Sequence, residues 1–140
     1  MTDRARKAKN YLEGISDLKR KAAIAHDLAE ELRESGISRP QQYGLRIQTS
    51  KGDPMLDRVS KIMEAEQAAI EQSVQFAERA EKATQLILAM DDSRYSELLF
   101  RKFVSGEPFE QIAEAMGYSV QRVFQLYPQA LDSFADTLFL

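Results

Sequence analysis

Between Pro54 and Met90 the chain runs without one glycine or further proline. Asp53-Pro54 opens the stretch as a side-chain cap followed by a residue whose φ is preset for a first helical turn. These features predict one helix of roughly 50 Å, set by the rise per residue of an α-helix. Leu56, Val59, Met63, Ile70, Val74, Ala77, Ala80, Thr84, Ile87 and Leu88 recur along it at helical spacing, with Glu and Lys on the other faces. Such a stripe reads as a packing face rather than a cofactor groove. A rod this long cannot be buried inside a small globule. It must pack as an antiparallel hairpin on another helix of the chain, on a second subunit, or on both. Ala65, Ala68, Ala69, Ala77, Ala80 and Ala83 suit close helix approach.

The partner within the chain is a first helix over 3–35. Tyr11, Leu12, Ile15, Leu18, Ala22, Ala25, Leu28, Ala29 and Leu32 line one of its faces, and Gly36 stands where a helix stops in a left-handed conformation. Gly14 weakens it by about 1 kcal/mol relative to Ala. Residues 36–54 contain Gly36, Pro40, Gly44, Gly52 and Pro54 and form an irregular connection, with a short extended piece where 45–50 alternate apolar and polar.

Several functional classes fall away on composition. There is no cysteine, which removes disulfides, thiolate metal sites and cysteine nucleophiles. No apolar run approaches the roughly 18 residues that cross a bilayer, and 1–10 are basic and polar with no apolar signal core behind them. A cytoplasmic protein without a membrane partner is expected. The only histidine, His26, sits beside Asp27 on the polar side of the first helix. The carboxylates interleave with Lys and Arg as on a solvated face, and neither a Gly-rich phosphate loop nor metal-ligand spacing occurs. No enzymatic activity, cofactor or metal is expected.

Residues 91–140 carry the functional signal. Asp92 and Ser93 cap a helix that ends near Val104, Ser105-Gly106-Glu107 turns, and Pro108 opens a second helix at its first position. Phe109, Ile112, Ala113 and Met116 form the inner face of that helix, and Gly117 ends it. Ser119 caps a third. Short amphipathic helices joined by a tight glycine turn are the ingredients of a helix-turn-helix. Pro128 lacks the amide that would reach Phe124, so the last helix is expected to kink or end near Tyr127. Leu131, Phe134, Leu138, Phe139 and Leu140 then leave an apolar patch for a dimer contact or for docking onto the long helix.

Charge is distributed unevenly. Residues 1–90 hold fifteen Lys/Arg against fourteen Asp/Glu, whereas 91–140 hold four bases against eight acids, a net of −4. A DNA-binding module usually has its own positive face. Affinity here would draw on dimerisation through the long helices or on the basic N-terminus around Arg4, Arg6, Lys7 and Lys9.

Gly117-Tyr118-Ser119-Val120-Gln121-Arg122-Val123 and the later Ala130-Leu131 resemble region 4 of bacterial sigma factors. With Tyr95, Leu98-Leu99, Arg101, Phe109 to Ala113 and Gln48-Thr49-Ser50, the chain is similar to the RinA/ArpU-type phage transcriptional regulators. The resemblance covers most of the chain, its specific part being the C-terminal third. It implies an all-α protein: a long coiled-coil-like antiparallel hairpin over 1–90, then a sigma region-4-like helix-turn-helix over 91–140. It also implies a phage or prophage regulator in a bacterial host cell, binding double-stranded promoter DNA and touching RNA polymerase, with homo-oligomers formed through the long helices. Val120, Gln121, Arg122 and Gln125 stand where a recognition helix reads bases. Ser119, Arg101 and Lys102 are candidate phosphate contacts. The alternatives are a small terminase-like DNA-packaging protein and a protein-interaction module that never touches DNA.

Overall fold

The computed structural model describes residues 1–38 and 54–140, with side chains described to Ser35 in the first stretch. Every regular element among them is helical. Helix α1 spans Asp3–Ser38 and α2 spans Pro54–Leu88. Helix α3 (Ser93–Leu99) continues into a π-helical segment, Phe100–Ser105. Helices α4 (Phe109–Met116) and α5 (Val120–Leu138) follow. The Asp53 cap, the alternating piece at 45–50 and the Gln48-Thr49-Ser50 segment lie outside the described residues.

Gly36 does not stop α1, which continues to Ser38. A glycine inside a helix costs about 1 kcal/mol, too little to end an established helix unless a left-handed cap forms.

The described residues divide into two compact units: Met1–Asp17 with Phe76–Leu140, and Leu18–Gln75. In the first unit, Ala5, Ala8, Leu12 and Ile15 of α1 and Ala80, Ala83 and Ile87 of α2 share one core with Leu98, Leu99, Phe103, Ile112, Val123, Leu126, Leu131 and Phe134. Tyr11 lies against Phe134. Polar contacts close the edges: Ser16 Oγ donates to the Phe103 carbonyl at 3.1 Å, and Ser96 Oγ donates to the Ile87 carbonyl at 2.9 Å. The apolar end of the chain is therefore mostly internal. Leu131 and Phe134 are buried, and only Phe139 and Leu140 remain exposed.

In the second unit the latter half of α1 and the first half of α2 lie side by side. Arg33 pairs with Glu66, and Ala29 and Ala69 are buried. The expected packing stripe of α2 is here the outer face: Leu56, Val59, Met63, Ile70 and Val74 are all exposed. Ala29 and Ala69 take inner positions, where a small side chain lets two backbones approach, whereas Ala68 is exposed. The larger apolar residues fall on a neighbouring face.

Candidate nucleic-acid interface

Local signals set the frame of the site. Asp92 Oδ1 accepts the Arg94 amide at 2.9 Å and caps α3. The π-helical segment closes at Gly106, whose φ of 80° is in the left-handed region that favours glycine. Pro108 stands one position earlier than expected, as the extended residue before α4 (φ −72°, ψ 159°). Its carbonyl accepts the Ile112 amide at 3.0 Å, so it still starts the helix without needing an N–H. Gly117 ends α4 at φ 76°, and Tyr118 N–H returns to the Ala113 carbonyl at 2.9 Å. That closes a left-handed helix stop. Ser119 then caps α5, its Oγ accepting the Arg122 amide at 3.1 Å.

Helix α5 is not broken at Pro128; it runs from Val120 to Leu138. The missing amide leaves the Phe124 carbonyl without its helical donor, but the Phe124 side chain is 52% exposed, so water has access nearby. Burial of Val123, Leu126, Ala130, Leu131, Phe134 and Ala135 along one face outweighs a penalty of about 3 kcal/mol. Helix α5 is thus longer than the segment from Val120 to Tyr127. Its outer face continues to Asp132 and Asp136, both exposed.

The expected contact residues separate into two groups. Gln121, Arg122 and Gln125 are exposed together at the start of α5 beside half-buried Val120, and Arg122 Nη1 reaches Gln125 Oε1 at 3.5 Å. Arg101 is already engaged. Its Nε donates to Glu97 at 2.8 Å and its Nη1 to Glu107 at 3.1 Å, and Glu97 is the main reason its pKa is raised. Lys102 lies 4.3 Å above the Phe109 ring.

Phe124 was not expected at this surface. It is exposed at the start of α5, its ring meeting that of Phe109 edge-on at 5.1 Å. Its position one turn after Val120 and Gln121 is the signal that marks it.

The acidic balance of 91–140 is partly met from the other end of the chain. Arg4 pairs with Asp136 at 2.7 Å and Thr2 Oγ1 donates to Asp132 at 2.6 Å. The basic N-terminus thus spends part of its charge inside the protein. Arg94 is likewise matched by Asp92, whose carboxyl that guanidinium holds below its usual range. Among the described residues no three His, Asp or Glu groups are placed to hold a metal ion, and no helix is long and apolar enough to cross a membrane.

Searches against known protein families, curated proteins and solved structures find no match. What remains is the chemistry of the surface itself. A capped helix start presents two amides for carboxamide recognition, one guanidinium, an apolar ring and free backbone N–H groups. Guanine accepts paired hydrogen bonds from Arg, adenine exchanges them with Gln, and a thymine methyl meets apolar carbon.

Proposed function

We propose that this protein is a phage-type transcriptional regulator that binds double-stranded promoter DNA, with α4, the Gly117–Ser119 turn and α5 acting as a sigma region-4-like helix-turn-helix. In this reading α1 and α2 form the helical hairpin that carries it. The observation in its favour is Arg122: exposed at the start of α5, it has no carboxylate partner among the described residues, while Arg4, Arg94 and Arg101 each do. Gln121, Gln125 and Val120 supply the neighbouring base contacts, and the backbone N–H groups of the first α5 turn donate to a phosphate. Selection of bound genome fragments followed by gel shift tests this. Binding should weaken steeply with salt, and Arg122→Glu should abolish the specific shift while leaving the circular dichroism unchanged. Operator binding untouched by that variant would overturn the assignment.

The compensated arginines favour one second reading, an interaction module that docks on RNA polymerase or another regulator without touching DNA. Its binding would resist salt and survive Arg122→Ala.

A further inference from the structure

The exposed face of α2 in the second unit combines two patterns. Leu56, Val59, Met63, Ile70 and Val74 stand outside the packing surface, with exposures from 44% to 63%. An acid directly follows the apolar residue at each heptad step: Leu56-Asp57, Met63-Glu64, Ile70-Glu71. The acids therefore form a line beside the stripe, one residue around the helix. Asp57 is matched by Lys61 at 3.5 Å. Glu64 has no cation partner among the described residues, and Glu71 receives only the Gln67 amide, at 3.4 Å. Across the groove between α1 and α2, lined by His26, Glu30, Arg33 and Ile70, Arg33 is consumed by Glu66 and Glu30 adds another unmatched acid.

We infer that this stripe is a docking face for a basic amphipathic helix of another protein, its apolar side seated on Met63 and Ile70 and its Lys or Arg residues meeting Glu30, Glu64 and Glu71. Charge decides the occupant. A two-fold contact presents the same residues from both copies, so a second copy would bring further uncompensated acids to the rim, while its Arg33 and Lys61 are already paired with Glu66 and Asp57. Leu56, Val59, Met63 and Ile70 stand at i, i+3, i+7 and i+14 and so form one continuous apolar strip, on which a docking helix seats its own anchors at the i, i+3, i+4 and i+7 spacing.

The surface belongs to the second unit and the α5 site to the first, and its test is independent of DNA binding. A labelled synthetic helical peptide with Leu at that spacing and Lys flanks is titrated into the full chain and followed by fluorescence anisotropy. The same peptide with Glu flanks is the comparison. The basic peptide should bind at least about tenfold more tightly, since each flank changes from attraction to repulsion. Ile70→Asp should remove binding, and Glu64→Lys with Glu71→Lys should reverse the preference; all three positions are exposed, so the helix content should be unchanged. Arg122→Glu should leave peptide binding intact. Equal affinity for the two peptides, no binding, or binding indifferent to Ile70→Asp would overturn the inference. So would a chain that sediments as a dimer and becomes monomeric on Ile70→Asp, which would assign the face to a second copy.

Discussion

The ring of Tyr11, in the first helix, lies 6.0 Å from the ring of Phe134, in the last, at an interplanar angle of 36°. This contact joins opposite ends of the chain, and Phe134 is fully buried within it. Phe134→Ala should therefore destabilise the protein by about 3–5 kcal/mol, the cost of an unfilled aromatic site in a core. Urea unfolding followed by circular dichroism measures it. A loss below about 1 kcal/mol would show that the site collapses or that the ring is not a core member.

Pro128 offers a gain instead of a loss. It lies in the interior of a continuous α5, where proline costs about 3 kcal/mol relative to alanine. Pro128→Ala should raise stability by about 2 kcal/mol, the remainder being offset by the freer unfolded chain. No increase in the urea midpoint would mean that the surrounding core already accommodates the ring without cost.

Ser119 is the only side chain that caps α5, through the Arg122 amide. Ser119→Ala should cost about 1 kcal/mol, and Ser119→Asp should retain most of that stability. If both variants melt with the wild type, the cap contributes nothing.

Two groups contribute to the pH dependence of stability, one on each side of neutrality. Asp92 has its pKa lowered from 3.8, first by its hydrogen bond to Arg94. The folded state thus favours the carboxylate, and this stabilisation is present above the unfolded value and lost as acid protonates the group below it. Tyr127 moves the other way, from 10.0 to about 12, through burial and then the charge of Glu13. Its contribution is complete below 10.0 and disappears as the pH rises toward about 12. Ultraviolet titration should show one late phenolate that is absent in Tyr127→Phe. Melting curves of Asp92→Asn should lose part of the acid dependence of the wild type.

Much of the C-terminal frame was legible because its causes are local. Asp92, Gly106, Gly117 and Ser119 act within a turn of their own positions, and residue type alone carries the geometry. Features that depend on distant packing were not legible. The proline rule sees the lost amide at Pro128 but not the buried face that holds α5 together. Periodicity in α2 puts one stripe inward, and its Ala80 and Ile87 are buried, yet Leu56, Val59, Met63, Ile70 and Val74 stay exposed while Ala69 and Ala83 take buried positions. The engagement of Arg101 by Glu97 and Glu107 depends on a loop bringing the second acid back. Spacing marks Arg101 as a cation and says nothing of how its charge is spent.

The π-helical segment Phe100–Ser105 has a consequence for how this chain tolerates changes of length. Each of its hydrogen bonds spans one residue more than those of the α-helix before it. Removing one residue there lets the backbone relax to ordinary α winding, whereas the same deletion inside α4 or α5 would rotate every following side chain by about 100°. A one-residue deletion in this stretch should therefore lower the urea midpoint less than one inside α5.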